Sequence, residues 1–336
     1  MQENSIVGEL DLAIVNALQI NPRADWNRLG PVLGVSATTA ARRWRELTER
    51  GLAWVTPAPG PHYLGAGWSA FVHISSRPAD QAELVERLCA EPGFGTVSAV
   101  SGPYDLFVDC FATSGDELME LVAGAFARLP GVVRREVVFV TKLYRQAHQW
   151  RGGALERAQA RRLVDPVRAV AGGFVPDGVD VGLVRQLGRD GRAGWAELGQ
   201  ACSISPQTAR RRIERLIGAG YLVMRCDAAA AIRQGQREVS LILNVPATRL
   251  DVVAGYFAGL PGCRVAAQVL GVHNLVVTLW VRDFLEIQVH ERKLAELAAG
   301  AAVISRQAVV RAYKRMGHLL DAAGRSVGMV PVPLWR

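Results

Sequence analysis

Two short runs carry the residues best suited to chemistry on an anionic partner. In "ATTAARRWREL" (Ala37 to Leu47), helical spacing puts Ala40, Trp44 and Leu47 on one face and Thr38, Arg42 and Arg45 on the other. The first face can pack, and the second presents hydroxyl and guanidinium groups. "PQTARRRIERL" (Pro206 to Leu216) repeats the arrangement. Arginine can reach guanine O6 and N7, threonine can meet a thymine methyl, and flanking arginines suit phosphates. The candidate DNA-binding residues are Ser36, Thr38, Thr39, Arg42, Arg43 and Arg45, then Ser205, Gln207, Thr208, Arg210, Arg211 and Arg212.

A basic face must be held by elements that aim it. Ser36 and Ser205 are placed to cap these helices, Pro206 suits a first helical position, and Gly51 and Gly220 stand where a left-handed residue ends each one. Before the first lie a helix over 25–33 and the turn Gly34–Ser36, a helix-turn-helix order whose second helix enters the major groove. Residues 169 positions apart match along the chain: Asp11 and Asp180, Arg23 and Arg192, Trp26 and Trp195, Leu47 and Leu216, Gly102 and Gly271, Tyr144 and Tyr313. The chain is therefore a tandem duplication. In each copy three short helices precede a β-α-β-β-α-β alternation, such as "GWSAFVHI", "ADQAELVERLCAE", "FGTVSAV" and "YDLFVDCFA".

The expected fold class is α+β: twice, a winged-helix-like helix-turn-helix domain followed by a ferredoxin-like βαββαβ domain. The expected domains are 1–60 and 66–145, a linker 146–176 with one helix over 154–163, then 177–228, 236–316 and a tail 317–336.

The 336 residues carry a net charge of +8, and only Lys142, Lys293 and Lys314 are lysine, so the basicity is almost all arginine, the better bidentate ligand for phosphate. Biased base composition also enriches arginine, so its placement matters more than its number. The five cysteines show no paired spacing, which speaks against a disulfide framework or a zinc site and for a reducing, cytoplasmic setting. No run suits a signal peptide or a membrane span. The six histidines lack ligand spacing, and no catalytic loop motif occurs, so no metal or cofactor is expected. Trp26, Trp44 and Trp195 sit at core positions of their helices.

The run "LDLAIVNALQINPRADWNRLGPVLGVSATTAARRWRELTERGLAWV" resembles the helix-turn-helix of the Lrp/AsnC (feast/famine) transcriptional regulators, and "VSGPYDLFVDCFA" through "ARLPGVVRREVVFVTKLYR" is similar to their ligand-sensing, oligomer-forming domain. The resemblance implies double-stranded DNA and a small effector, an amino acid or related metabolite, as partners. It implies a homo-oligomer of two or four chains, and no enzyme activity. It also implies an effector role for the turn Gly102, Tyr104 and Asp105 and for Gly271, His273 and Asn274. Glycine there permits close approach, and Asp105 either accepts from a ligand ammonium or bonds local amides as turn aspartates do.

Three departures between the copies carry expectations. Arg45-Glu46 becomes Glu214-Arg215, which should make the two helices read DNA unequally. Pro31 should kink its helix. Gly34 becomes Ser203, which should alter that turn. His273, in "HNLVVTLW", supports an alternative: siroheme decarboxylases resemble this architecture, and a histidine facing a tetrapyrrole with arginines on its carboxylates would be their chemistry.

Overall fold

The computed structural model describes residues 7–61, 68–165, 175–233 and 235–334; the expected starts of the first two domains, His62 and linker positions 166–174 lie outside them. Copy one runs α1 (Glu9–Ile20), α2 (Trp26–Leu33), α3 (Ala37–Glu49) and β1 (Ala53–Pro59), then β2 (Ser69–Ser76), α4 (Gln81–Ala90), β3 (Phe94–Val100), β4 (Leu106–Phe111), α5 (Gly115–Met119, continuing as a π-turn over Glu120–Ala125) and β5 (Val132–Arg145). The linker helix α6 covers Arg157–Leu163, three residues shorter at its start than expected. Copy two repeats the order: α7 (Gly178–Arg189), α8 (Trp195–Ala201), α9 (Pro206–Gly218), β6 (Leu222–Ala228), β7 (Arg237–Asn244), α10 (Leu250–Gly259), β8 (Cys263–Leu270), β9 (Leu275–Val281), α11 (Glu286–Leu297) and β10 (Ala302–Arg315). The expected tail is a hairpin, β11 (His318–Leu320) and β12 (Ser326–Met329).

The duplication is visible in the packing. Leu18, Leu29 and Leu47 and their counterparts Leu187, Leu198 and Leu216 are all buried in one core that joins both helical domains. Strands β1 and β6 close that pair as an antiparallel ribbon from Ala53–Ala228 to Pro59–Leu222. The two βαββαβ units also join. Edge strand β5 pairs with β8, and β10 pairs with both β3 and β7, so β3-β4-β2-β5-β8-β9-β7-β10 is a closed ring of eight strands. Closure leaves neither four-stranded sheet with an open edge, the usual liability of such units. Phe71, Val138, Val140, Ile242, Val269 and Val276 fill the ring between the sheets, while the helices cover the outer faces.

The terminal hairpin fastens the helical pair to the ring. It extends β10, Ser326 N–H donates to Gly51 O at 2.9 Å, His318 stacks on Trp54 with ring centres 5.0 Å apart, and Leu334 is buried in the helical core. What reads as a polar, glycine-punctuated tail is held by contacts with residues far away in sequence.

The turn at Ser203 keeps the geometry of Gly34. Both are left-handed, with φ of 55° and 72°. A serine there stores the steric cost that glycine avoids. Ser203→Gly should therefore stabilise the fold by about 0.5–1 kcal/mol after the added freedom of the unfolded chain is subtracted. Urea denaturation checks this; no gain, or a loss, would show that the serine is unstrained. Helix α2 continues through Pro31 to Leu33.

Candidate nucleic-acid interface and sensing turns

Each recognition helix begins at its expected cap. Ser36 Oγ accepts from Thr39 N–H at 3.0 Å and Ser205 Oγ from Thr208 N–H at 3.1 Å, and each serine hydroxyl also meets its threonine's hydroxyl. These four residues position the helix starts at the outer surface. Thr38, Arg42 and Arg45 are exposed on α3, and Gln207, Arg210 and Arg211 are exposed on α9. Arg42 pairs with Glu46 one turn on, and Arg210 Nε with Glu214 at 2.7 Å. Such exposed pairs are worth little, so phosphate can displace them at small cost. Glu214, the carboxylate that stands at the position of Arg45, is thereby engaged within its own helix.

Arg43 and Arg212 correct the expectation that they face DNA. Arg43 reaches the buried carboxylate of Asp11 at 2.6 Å and Glu46 at 2.9 Å; Arg212, its counterpart, reaches Asp180 at 3.0 Å and Asp177 at 2.9 Å. They tie each recognition helix to the first helix of its own domain. Their hydrogen-bonded carboxylates hold both guanidiniums above the usual arginine range.

The two domains are locked by a reciprocal clamp. Arg23 lies 4.0 Å over the Trp195 ring and donates to Gly191 O and Ala193 O at 2.7 and 2.9 Å; Arg192 lies 4.1 Å over Trp26 and donates to Pro22 O and Ala24 O at 2.6 and 2.8 Å. Trp44 is buried as expected, whereas Trp26 and Trp195 are half-buried platforms for the other copy's arginine. Burial lowers both arginines to about 10, which leaves them charged at neutral pH.

Of the two expectations for Asp105, the structure shows the turn aspartate that bonds a nearby amide. Its carboxylate accepts from Ser76 N–H at 2.7 Å, and Asn274 Oδ1 accepts from Val245 N–H at 2.9 Å while Nδ2 donates to Val245 O at 2.7 Å. Both side chains fasten a turn to the end of a neighbouring strand, so aspartate and asparagine serve equally. Gly102 has φ 105° and packs beside Arg306 and Gln307 of β10; Gly271 packs against Val138 of β5.

Tyr104 and His273 occupy equivalent turns and converge on a residue the sequence did not single out. Tyr104 Oη donates to Glu136 Oε2 at 2.8 Å, and His273 Nδ1 lies 3.6 Å from Glu136 Oε1. His73 stacks near Tyr104 at 5.4 Å, and neither ring nitrogen of His73 or His273 meets a hydrogen-bond partner among the described residues. Desolvation lowers both imidazoles, that of His73 to about 4, against the pull of Glu136, so both are neutral at pH 7. The only signal for Glu136 was a carboxylate in the strand-like run "REVVFVTK". Among the described residues no three metal-ligating side chains cluster, and no helix is long and apolar enough to cross a membrane.

The AsnC-type helix-turn-helix domain profile matches residues 9–48 and 177–217, and that of the Lrp/AsnC ligand binding domain matches 69–150. An uncharacterized HTH-type transcriptional regulator of Pyrococcus abyssi (strain GE5 / Orsay) is 28% identical over 131 residues, 38% of this chain and 87% of the relative. The HTH-type transcriptional regulator LrpA of the same organism is 23% identical over 130 residues, 38% of this chain and 92% of its own. These relatives have the length of a single copy. Over the full length, the solved structure of the siroheme decarboxylase NirDL covers 92% of this chain and 93% of its own at a TM-score of 0.53 and 15% identity, a likeness of fold alone. With both domain types matched in order and the whole unit present twice, the chain belongs to the Lrp/AsnC family as a tandem, double-length member.

Proposed function

We propose that this DNA-binding regulator reads one asymmetric site with both of its recognition helices and answers to a small metabolite held between its sensing turns. The observation that carries the reading is the fused helical pair: one core, one β-ribbon and one clamp fix two exposed recognition faces relative to each other. Relatives of single-copy length carry one such face per chain; here one chain supplies both. Thr38 and Arg45 are replaced by Gln207 and Glu214 at the equivalent positions, while Arg42 is matched by Arg211, so the two half-sites need not match. Larger homo-oligomers remain compatible, since α4, α5, α10 and α11 lie on the outside of the ring.

For the effector, Tyr104, Glu136 and His273 form the polar set. Glu136, rather than Asp105, is the carboxylate available to a ligand ammonium.

Arg42→Ala and Arg211→Ala should each weaken specific binding by on the order of 1–3 kcal/mol and leave binding to random duplex less affected. Affinity should also fall steeply with salt. Genome-wide mapping followed by titration of both variants on a mapped site tests this; undiminished binding by both removes the recognition-helix assignment.

The full-length likeness to NirDL favours one second reading, a tetrapyrrole enzyme. Against it, His273 sits in the β8–β9 turn, whereas Arg264 and Arg315 stand at the far ends of β8 and β10. A spectrum of added iron tetrapyrrole that the protein leaves unchanged eliminates it.

A further inference from the structure

Between the helical pair and the ring lies a cavity of about 390 Å³, walled by α1, the segment after β5, strand β6 and the base of the copy-two sheet. Its charges do not balance. Arg225 and Arg264 share Asp227, at 2.7 and 3.6 Å, and Arg315 takes Glu238 at 2.7 Å. Arg233 and Arg282 find no carboxylate among the described residues. Arg233 instead lies 4.3 Å over the Trp280 ring, and its buried Nε has no hydrogen-bond partner there. Arg264 and Arg315 approach the same indole, at 5.2 and 5.3 Å.

Four guanidiniums, of Arg225, Arg233, Arg264 and Arg315, thus gather around two carboxylates, and the exposed Arg282 also lines the cavity. Burial, followed by mutual repulsion, lowers Arg264 to about 10 and Arg233 to about 9. Of the cavity's acids, Asp227 meets both of its arginines through Oδ1 while its buried Oδ2 has no hydrogen-bond partner among the described residues, and Glu9 is exposed at the α1 end. Leu12, Val15, Ile232 and Trp150 supply apolar lining beside the charge. An excess of buried, under-satisfied bidentate donors beside an apolar wall is complementary to an anion with an organic body.

We propose that this cavity binds a small organic polyanion, its carboxylate or phosphate groups held by Arg233, Arg264 and Arg282 and its carbon skeleton against Leu12 and Trp150. The site is separate from the sensing turns, which lie at the opposite end of the ring. Because α1 and β6 form two of its walls, it touches the helical pair and the sensing ring at once, and occupancy stiffens the junction between them.

Direct titration of the full chain tests this without DNA, so its outcome is independent of the regulator reading. Citrate, succinate and inorganic phosphate are each titrated calorimetrically against acetate and chloride at equal ionic strength. At least one polyanion should bind saturably with one site per chain and raise the melting temperature, and acetate should not. Carboxylate and phosphate ligands are told apart by which probe binds. Arg282 is exposed and makes no ion pair among the described residues, so Arg282→Ala should fold normally and weaken binding about tenfold, the value of one charge-assisted contact; Arg233→Gln should do the same. No saturable heat with any of the three polyanions, or affinity unchanged in both variants, overturns the proposal.

Discussion

Replacing Arg23 and Arg192 together by alanine should cost on the order of 4 kcal/mol of stability, about 2 for each, because every clamp arm combines two charge-assisted bonds with a stacked indole. The substitution also strands the carbonyls of Gly191, Ala193, Pro22 and Ala24 at a half-buried interface, which these guanidiniums otherwise satisfy. The two helical domains share one core, so the loss should appear as a shift of one cooperative transition and as weakened binding to the full operator. The single variants should lose nearly equal amounts, as the pseudo-symmetry demands. Arg23 repels the Arg192 guanidinium, so each single loss is reduced by that repulsion and the double loss should slightly exceed the sum. Guanidinium chloride denaturation of the three variants decides the matter, and single losses below about 0.5 kcal/mol, the range of ordinary surface changes, would reduce the clamp to a surface contact.

Asp109 should make the fold lose stability as pH rises. It lines a cavity of about 80 Å³ at the end of the ring facing the β1–β6 ribbon, with one carboxyl oxygen buried and without a hydrogen-bond partner among the described residues. Burial raises its pKa from 3.8 to about 8, and the attraction of Arg225 offsets only part of this. Below the lower value both states hold the proton and nothing is lost. Above it the unfolded chain ionises while the folded one stays protonated, so the stabilisation wanes through the acid and neutral range and is gone once pH passes about 8. Asp109→Asn keeps the shape and removes the ionisation, so at pH 8 the variant should exceed the parent by on the order of 3 kcal/mol, with the two converging near pH 4. Thermal melts at a series of pH values check this, and a difference that does not grow with pH would mean that the carboxylate is ionised in the folded state.

The sequence by itself determined everything whose cause is local or repeated. The 169-residue offset declares two copies whatever the structure. The faces of α3 and α9 follow from helical periodicity, and the caps at Ser36 and Ser205 from a hydroxyl three residues before an orphan N–H, so those elements and the exposure of Arg42 and Arg211 were legible. Only the tertiary structure decided which partner each charged group keeps. Arg43 sits beside Arg42 in a basic run, yet the fold brings Asp11 to it from 32 residues away; the recurrence of that spacing in Asp180 and Arg212 was the one available signal. Asp105 carries the same carboxylate a ligand would need, and it is spent on Ser76 because the turn ends beside that strand. Strand alternation predicts the eight strands, but not that β5 and β10 close them into one ring, since pairing between the copies depends on edges that no local pattern encodes. The clamp and the unbalanced arginine cluster belong to the same class: they come from pairings across more than a hundred residues or between elements, where the energy of a guanidinium is set by what surrounds it rather than by its neighbours in the chain.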